Sequence, residues 1–392
     1  MLNNCDPSRF LASKLENVPP SGIRRFFDLV SDIDDVVSLG VGEPDFHTPW
    51  HIREACIHAI EEGETSYTSN FGLKELREEI SNLYLLRHST HYNPENEVLI
   101  TTGVSEALDI AIRTIVNPGD EIIIVEPSYV AYTPSVIFSG GTPVPVKTHV
   151  ENNFKLVPED LRSAISDKTK AIILNYPNNP TGAAMGKKEL ELIADIVEEN
   201  DLLVISDEIY ECLTYNKKHT CFATLEGMKE RTILLNGFSK AYSMTGFRVA
   251  YALAPPEIIN AMMLIHQYTM LCAPTVAQIG AIEALKYGNS SMDKMIREYD
   301  RRRRLIVNSF NDIGLSCFEP EGAFYAFPSV RSTGLTSEHF AEKLLNEQKV
   351  ATVPGDVFGK SGEGFLRCSY AASTENIKIA LERIEQFISD LE

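Results

Sequence analysis

Six short runs of Val, Ile and Leu recur along this chain at Val98–Thr102, Glu121–Glu126, Ala171–Asn175, Leu203–Asp207, Thr232–Asn236 and Val249–Ala254. A run that is apolar at nearly every position, rather than at every second one, suits a strand covered on both faces. Between them, Ser105–Val116, Pro158–Ile165 and Lys188–Glu199 set apolar residues three and four apart, the spacing of a helix with one buried stripe. A parallel pair needs a crossover long enough to hold a helix, so strand, helix, strand in alternation predicts a mostly parallel sheet of α/β class. Pro118-Gly119 and Asn179-Pro-Thr-Gly182 punctuate it as turns. From Val276 a long helical pattern runs through Arg304 into a C-terminal part with its own strands and helices. At 392 residues there is room for a large and a small domain with a cleft between them. Arg301–Arg304, following Arg297, Glu298 and Asp300, reads as a solvated, ion-paired helix face.

Lys and Arg number 36 against 55 acids, a formal charge of −19 that argues against nucleic acid or an anionic membrane as partner. Any anionic substrate has to be gathered by local cations against this field. No apolar run approaches the ~18 residues of a membrane span, and the opening Met-Leu-Asn-Asn-Cys-Asp lacks the basic and apolar regions of an export signal, so neither export nor anchoring is expected. Seven scattered cysteines without a C-x-x-C pair point away from zinc and disulfides and toward a reducing cytosol.

In open parallel sheets, ligands bind at the carboxyl ends of the strands. There the first run leads into Thr102-Gly-Val-Ser-Glu-Ala, where the N–H groups of Gly103, Val104 and Ser105 suit an anion at a helix N-terminus, or form a plain glycine turn. Tyr129, after the second run, offers a face for a flat heteroaromatic ring, or is a core tyrosine. Asn179 suits a phenolate oxygen, or belongs to a purely structural turn. Asp207 ends the fourth run. A buried acid needs a partner or takes up a proton; a pyridinium N–H is a fitting partner, a helix N-cap the alternative. Tyr210 lies three residues on. Lys240 and Arg248 then stand eight residues apart in a small, apolar stretch. Desolvation beside positive charge makes a lysine neutral enough to condense with a carbonyl, and an arginine fork binds a phosphate.

Tyr67 in Tyr-Thr-Ser-Asn-Phe-Gly72, the Asn-Pro-Thr-Gly turn, Asp207 with Tyr210, Lys240 and Arg248 stand in an order and spacing that resembles the class I/II aminotransferases, which are fold type I pyridoxal-phosphate enzymes. The likeness runs nearly end to end, from Gly42-Glu-Pro-Asp-Phe46 to Pro354-Gly-Asp-Val-Phe358 and Phe365-Leu-Arg-Cys-Ser-Tyr370. Ser21-Gly-Ile-Arg-Arg-Phe-Phe27 and Gly322-Ala-Phe-Tyr-Ala-Phe-Pro328 are most similar to the archaeal-type aspartate and aromatic enzymes.

The resemblance implies a large domain with a mostly parallel seven-stranded sheet sandwiched by helices, plus a small α+β domain. Residues 1–45 would form an N-terminal arm and part of the small domain, 46–285 the large cofactor-binding domain and 286–392 the small C-terminal domain. It implies ping-pong transfer of an amino group from an L-amino acid, aromatic or broad in range with aspartate also open, to 2-oxoglutarate, in a cytoplasmic homodimer with shared active sites. A carbon–sulfur lyase or decarboxylase on the same scaffold is the alternative. A cofactor-binding regulator is the other class, but roughly forty residues before Gly42 are too few for a DNA-binding domain.

Residue by residue, the resemblance implies that Lys240 condenses with the cofactor aldehyde and later moves the substrate proton. Asp207 pairs with the ring nitrogen, Asn179 and Tyr210 bond the ring oxygen, and Tyr129 stacks on the ring. Gly103, Val104, Ser105, Ser239 and Arg248 hold the phosphate, and Tyr67 reaches the phosphate of the neighbouring subunit. Arg367 clamps the substrate α-carboxylate, with Gly42 and Asn179 beside it. No metal is implied. Three residues before the lysine, where many relatives place a phosphate-binding serine, this chain has Gly237. For the substrate side chain, Arg24 and Arg25 read as cleft or surface, and Phe324 and Tyr325 as pocket lining or small-domain core.

Overall fold

The apolar runs become strands in the computed structural model, which describes residues 6–20, 22–23 and 33–391. In chain order the strands are β1 (Val37–Ser38), β2 (Val98–Thr101), β3 (Glu121–Glu126), β4 (Thr142–Lys147), β5 (Thr169–Leu174), β6 (Leu203–Asp207), β7 (Thr232–Gly237), β8 (Ala250–Leu253), β9 (Tyr325–Ala326), β10 (Val350–Ala351), β11 (Val353–Pro354) and β12 (Leu366–Ser369). Seven of them form one sheet in the order β2-β8-β7-β6-β5-β3-β4. Only β8 runs against the others, pairing antiparallel with both β2 and β7. This reversal decides the site. The start of β8 lies at the same sheet edge as the ends of β2, β3, β5, β6 and β7, so the residues just before β8 join those just after the other strands.

The continuous apolar runs are buried on both faces. Ile122 and Ile124 pack on one side with Ala107, Ile110 and Ala111 of the helix Val104–Ile115, while Ile123 packs on the other with Ile193 and Val197 of the helix Lys187–Glu199. Each such side chain contributes about 1.5–3 kcal/mol when fully buried. The smaller sheets are β11-β12-β9, all antiparallel, and the parallel pair β1-β10. The stacked rings of Phe327 and Phe365, 5.1 Å apart, hold the first of these against Phe154.

Two expectations need correction, and one strand had no counterpart among the apolar runs. The pattern from Val276 to Arg304 is two helices, Thr275–Tyr287 and Asn289–Asp312, parted at Gly288, where a Cβ would run into the Tyr242 ring. Thr142–Lys147 is a strand at the sheet edge despite Pro143 and Pro145. The arginine run is ion-paired as expected but only half solvated. Arg302 is buried and bonds both carboxylate oxygens of Asp45, at 2.8 and 2.9 Å, and Arg303 is buried between Asp300 and Glu319. Arg24 and Arg25, and most of the Ser21–Phe27 motif, lie outside the described residues. No helix among the described residues is long and apolar enough to cross a membrane, and the six described cysteines are free.

Candidate active site

A cavity of about 840 Å³ opens at the carboxyl ends of the parallel strands, and most of the residues singled out above line it: Gly42, Val104, Ser105, Tyr129, Asn179, Asp207, Tyr210, Ser239, Lys240, Arg248 and Arg367. Gly103 sits just behind, as the N-cap of the helix Val104–Ile115, with φ of 82°. Only glycine adopts that conformation without strain, and a Cβ there would fall onto the guanidinium of Arg248. The helix N-terminus and an arginine thus meet at one point. Tyr67 is not in the wall and stands 83% exposed.

Lys240 follows β7 and donates from Nζ to the carbonyl of Gly42 at 2.7 Å. Its pKa is lowered from 10.5 to about 8, first by burial and then by Arg367, with Arg248 adding to the effect and Glu43 opposing it. The depression expected from a nearby arginine is present, but its larger charge partner is the distant Arg367 rather than Arg248.

Asp207, buried at the end of β6, accepts from the Tyr132 hydroxyl at 2.7 Å and from the N–H of Ile209 at 3.2 Å. Burial outweighs both bonds and lifts its pKa from 3.8 to about 6. In the parallel register Leu174 lies opposite Ser206, which puts Asn175 beside Asp207. Asn175 donates to the Asp207 carbonyl at 2.9 Å and accepts from the N–H of Asn179 at 3.0 Å, so one side chain sets two strand ends.

Arg367, on β12, is buried, with no carboxylate within 4.0 Å among the described residues. Its Nη2 donates to the Gly40 carbonyl at 2.7 Å and its Nη1 to Asn179 Oδ1 at 3.1 Å, while Nε has no partner. The guanidinium lies between the rings of Tyr325 and Phe358, at 4.7 and 4.9 Å. A buried cation satisfied by neutral acceptors and left with a spare donor is prepared for an anion. Tyr325 lines the cavity and bonds the Tyr210 hydroxyl at 2.9 Å, whereas Phe324 is fully buried, with its ring centroid 5.6 Å from Lys240 Nζ.

Gly237 has a structural reason. A Cβ there would lie 2.7 Å from that of Ala250, its neighbour on β8, so the serine expected at this position does not fit. Sequence reasoning gave no role to Tyr132, Asn175 or Gly40. Tyr132 lies three residues after Tyr129, and that spacing was the only signal.

The family described as Aminotransferase class I and II matches residues 34–384. The Bacillus subtilis (strain 168) protein YugH, which carries an aminotransferase name, is 52% identical over 97% of this chain and 98% of its own. An aspartate aminotransferase of Pyrococcus abyssi is 44% identical over 97% of this chain and 98% of its own. The solved structure of an aromatic aminotransferase from Pyrococcus horikoshii superposes with a TM-score of 0.90 at 44% identity, covering 93% of this chain and 99% of that one. The match along the whole length, on a seven-stranded sheet with a lysine and an arginine facing one cavity, means that this chain belongs to the class I and II aminotransferases and is an aminotransferase of fold type I.

Proposed function

We propose that the cavity binds pyridoxal 5′-phosphate and exchanges the amino group of an L-amino acid, aromatic or broad in range, with 2-oxoglutarate. One observation carries this reading: two cations face one cavity with no carboxylate partner among the described residues, Lys240 held near neutrality and Arg367 buried with a donor to spare. The other residues fit the cofactor. Asp207, an acid that burial drives toward protonation, suits a ring N–H. The N-terminus of the helix Val104–Ile115, with Gly103, Ser105, Ser239 and Arg248, suits a phosphate dianion. Tyr210 and Asn179 suit the ring oxygen, and Tyr129 a ring face. Bound there, pyridoxal phosphate supplies an aldehyde that condenses with amines and a protonated ring that draws electrons from the substrate α-carbon.

The protein positions and moves protons. With a pKa of about 8, Lys240 is neutral in a useful fraction of molecules near neutral pH and takes the proton from the substrate α-carbon. Arg367 grips the α-carboxylate and fixes which bond faces Lys240. Asp207 holds the proton on the ring nitrogen. The aminotransferase names of the relatives disfavour a carbon–sulfur lyase or decarboxylase.

Charge supports the donor class. The described cations of the cavity wall are Lys240, Arg248 and Arg367, each already committed, and its carboxylates are Glu43 and Asp207. A second substrate carboxylate meets no further described cation, whereas Ile23, Leu108 and Val130 offer apolar surface. The exposure of Tyr67, away from the cavity of its own chain, supports a homodimer in which it completes a neighbouring site, and the free cysteines support a cytosolic home. We assign 46–285 to the large domain and 1–45 with 286–392 to the arm and small domain. Stopped-flow absorbance of cofactor-loaded protein tests the reading: phenylalanine is expected to convert the cofactor to its pyridoxamine form faster than aspartate. Faster aspartate would overturn the donor class, and no conversion by either would overturn the reaction.

A further inference from the structure

Tyr325 stands where the acting residues of the proposed function meet. Its hydroxyl lies 2.9 Å from that of Tyr210. Its ring is 4.7 Å from Arg367 Cζ. A Cβ on Gly42, whose carbonyl holds Lys240 Nζ, would sit 2.7 Å from its hydroxyl oxygen. Both phenols are buried, and among the described residues neither hydroxyl has another hydrogen-bond partner. Such a pair has a direction, because each hydroxyl carries one proton to donate. For Tyr210 to donate to a ring oxygen, it has to accept from Tyr325. Burial pushes both phenols up. Arg367 opposes this at both, but at Tyr325, on whose ring it is stacked, it is the largest opposing influence, whereas at Tyr210 the neighbouring Tyr325 adds to the rise, so Tyr325 is the better donor of the two.

We propose that Tyr325 is a positioning residue that donates its O–H to Tyr210, aims the Tyr210 proton at the cofactor's ring oxygen, and ties that bond to the guanidinium that takes the substrate carboxylate. The proposal rests on the cofactor reading above. It also gives Gly42 a reason that the family motif alone does not. The clash of a β-carbon there is with the Tyr325 hydroxyl, since the next atoms, Arg367 Nη2 and Tyr325 Cζ, are both at 3.6 Å, an ordinary contact.

Three variants test it: Tyr325→Phe, Gly42→Ala and the two combined. In cofactor-free protein, Gly42→Ala lowers the unfolding temperature, and adding Tyr325→Phe recovers most of the loss, because removing the hydroxyl removes the collision. In pyridoxal-phosphate-loaded protein, Tyr325→Phe moves the pH midpoint of the visible absorbance upward by roughly half a unit, since a chain of hydrogen bonds that loses its first member stabilises negative charge on the ring oxygen less well. A merely structural tyrosine would leave that midpoint in place. Wild-type protein that develops no visible band overturns the cofactor reading and this assignment with it. A normal band whose midpoint ignores Tyr325→Phe overturns the assignment alone, as does a double variant no more stable than Gly42→Ala.

Discussion

Replacing Asp207 by Asn is expected to stabilise the cofactor-free protein at pH 8 while crippling the loaded enzyme. The side chain is buried and its pKa rises from 3.8 to about 6 on folding. Between those values the folded state holds a proton that the unfolded state has released, so stability is full below the lower value and declines as pH rises through the upper one. The rise corresponds to about 3 kcal/mol once both states are ionised. Asp207→Asn removes that cost, but its amide nitrogen confronts one of two donors, Tyr132 Oη or the N–H of Ile209, at a loss of about 1 kcal/mol. The variant should therefore be about 0.5 kcal/mol less stable at pH 4 and about 2 kcal/mol more stable at pH 8. Urea unfolding of cofactor-free protein, at one protein concentration across pH 4–8, measures the difference directly. A difference independent of pH would refute the claim that Asp207 carries an uncompensated charge awaiting a cation. In loaded protein the same substitution is expected to lower kcat/KM by roughly 100-fold or more, because the ring nitrogen loses its counter-charge.

Arg367→Lys keeps the charge but loses the fork, and the loss of one charge-assisted bond with its orientation, about 2–4 kcal/mol, lowers kcat/KM by roughly 30- to 1000-fold in steady-state assays. Gly103→Ala puts a Cβ against Arg248 at positive φ and should weaken cofactor binding about tenfold, read by absorbance titration of the apoprotein. Glu211, behind the site, is buried yet held at about 2, burial being overcome by His88 and Arg87. Its contribution is present above its ordinary value of 4.5 and is lost as pH falls toward 2. Glu211→Gln, which leaves Arg87 unpaired, should cost about 3 kcal/mol at pH 7 and flatten the acid limb of the stability profile.

What could be read in the chain was what hangs on local pattern. Lys240, Asp207 and Arg248 sit at the ends of strands whose apolar runs are visible without any partner, and their chemistry follows from residue type and place. Strand β4 was invisible because Pro143 and Pro145 remove ladder donors, which an edge strand tolerates and a central one does not. The break at Gly288 was hidden because apolar periodicity persists on both sides, and the Tyr242 ring, which leaves no room for a side chain at that position, lies 46 residues away in the chain. Tyr132, Asn175 and Tyr325 act through contacts that exist only once the strands are in register, as Leu174 opposite Ser206 shows. Arg367 could be assigned from the family likeness, but its lack of an acidic partner, which gives it its meaning, is a fact of three dimensions.

The segment Gly40–Glu43 shows why such contacts matter more than the residue names suggest. It touches both cations with main-chain carbonyls: Gly40 receives Arg367 Nη2 and Gly42 receives Lys240 Nζ. A carbonyl satisfies a donor without neutralising its charge. A carboxylate at either place would quench the guanidinium that has to meet a substrate anion and would raise the lysine pKa away from neutrality. The nearest acid on this strap, Glu43, accepts from the Thr245 hydroxyl at 3.0 Å and only partly offsets the lowering of the Lys240 pKa. In a chain of net charge −19, the cations of this cavity thus keep their charge available because neutral acceptors, mostly backbone carbonyls, orient them rather than acids pairing them.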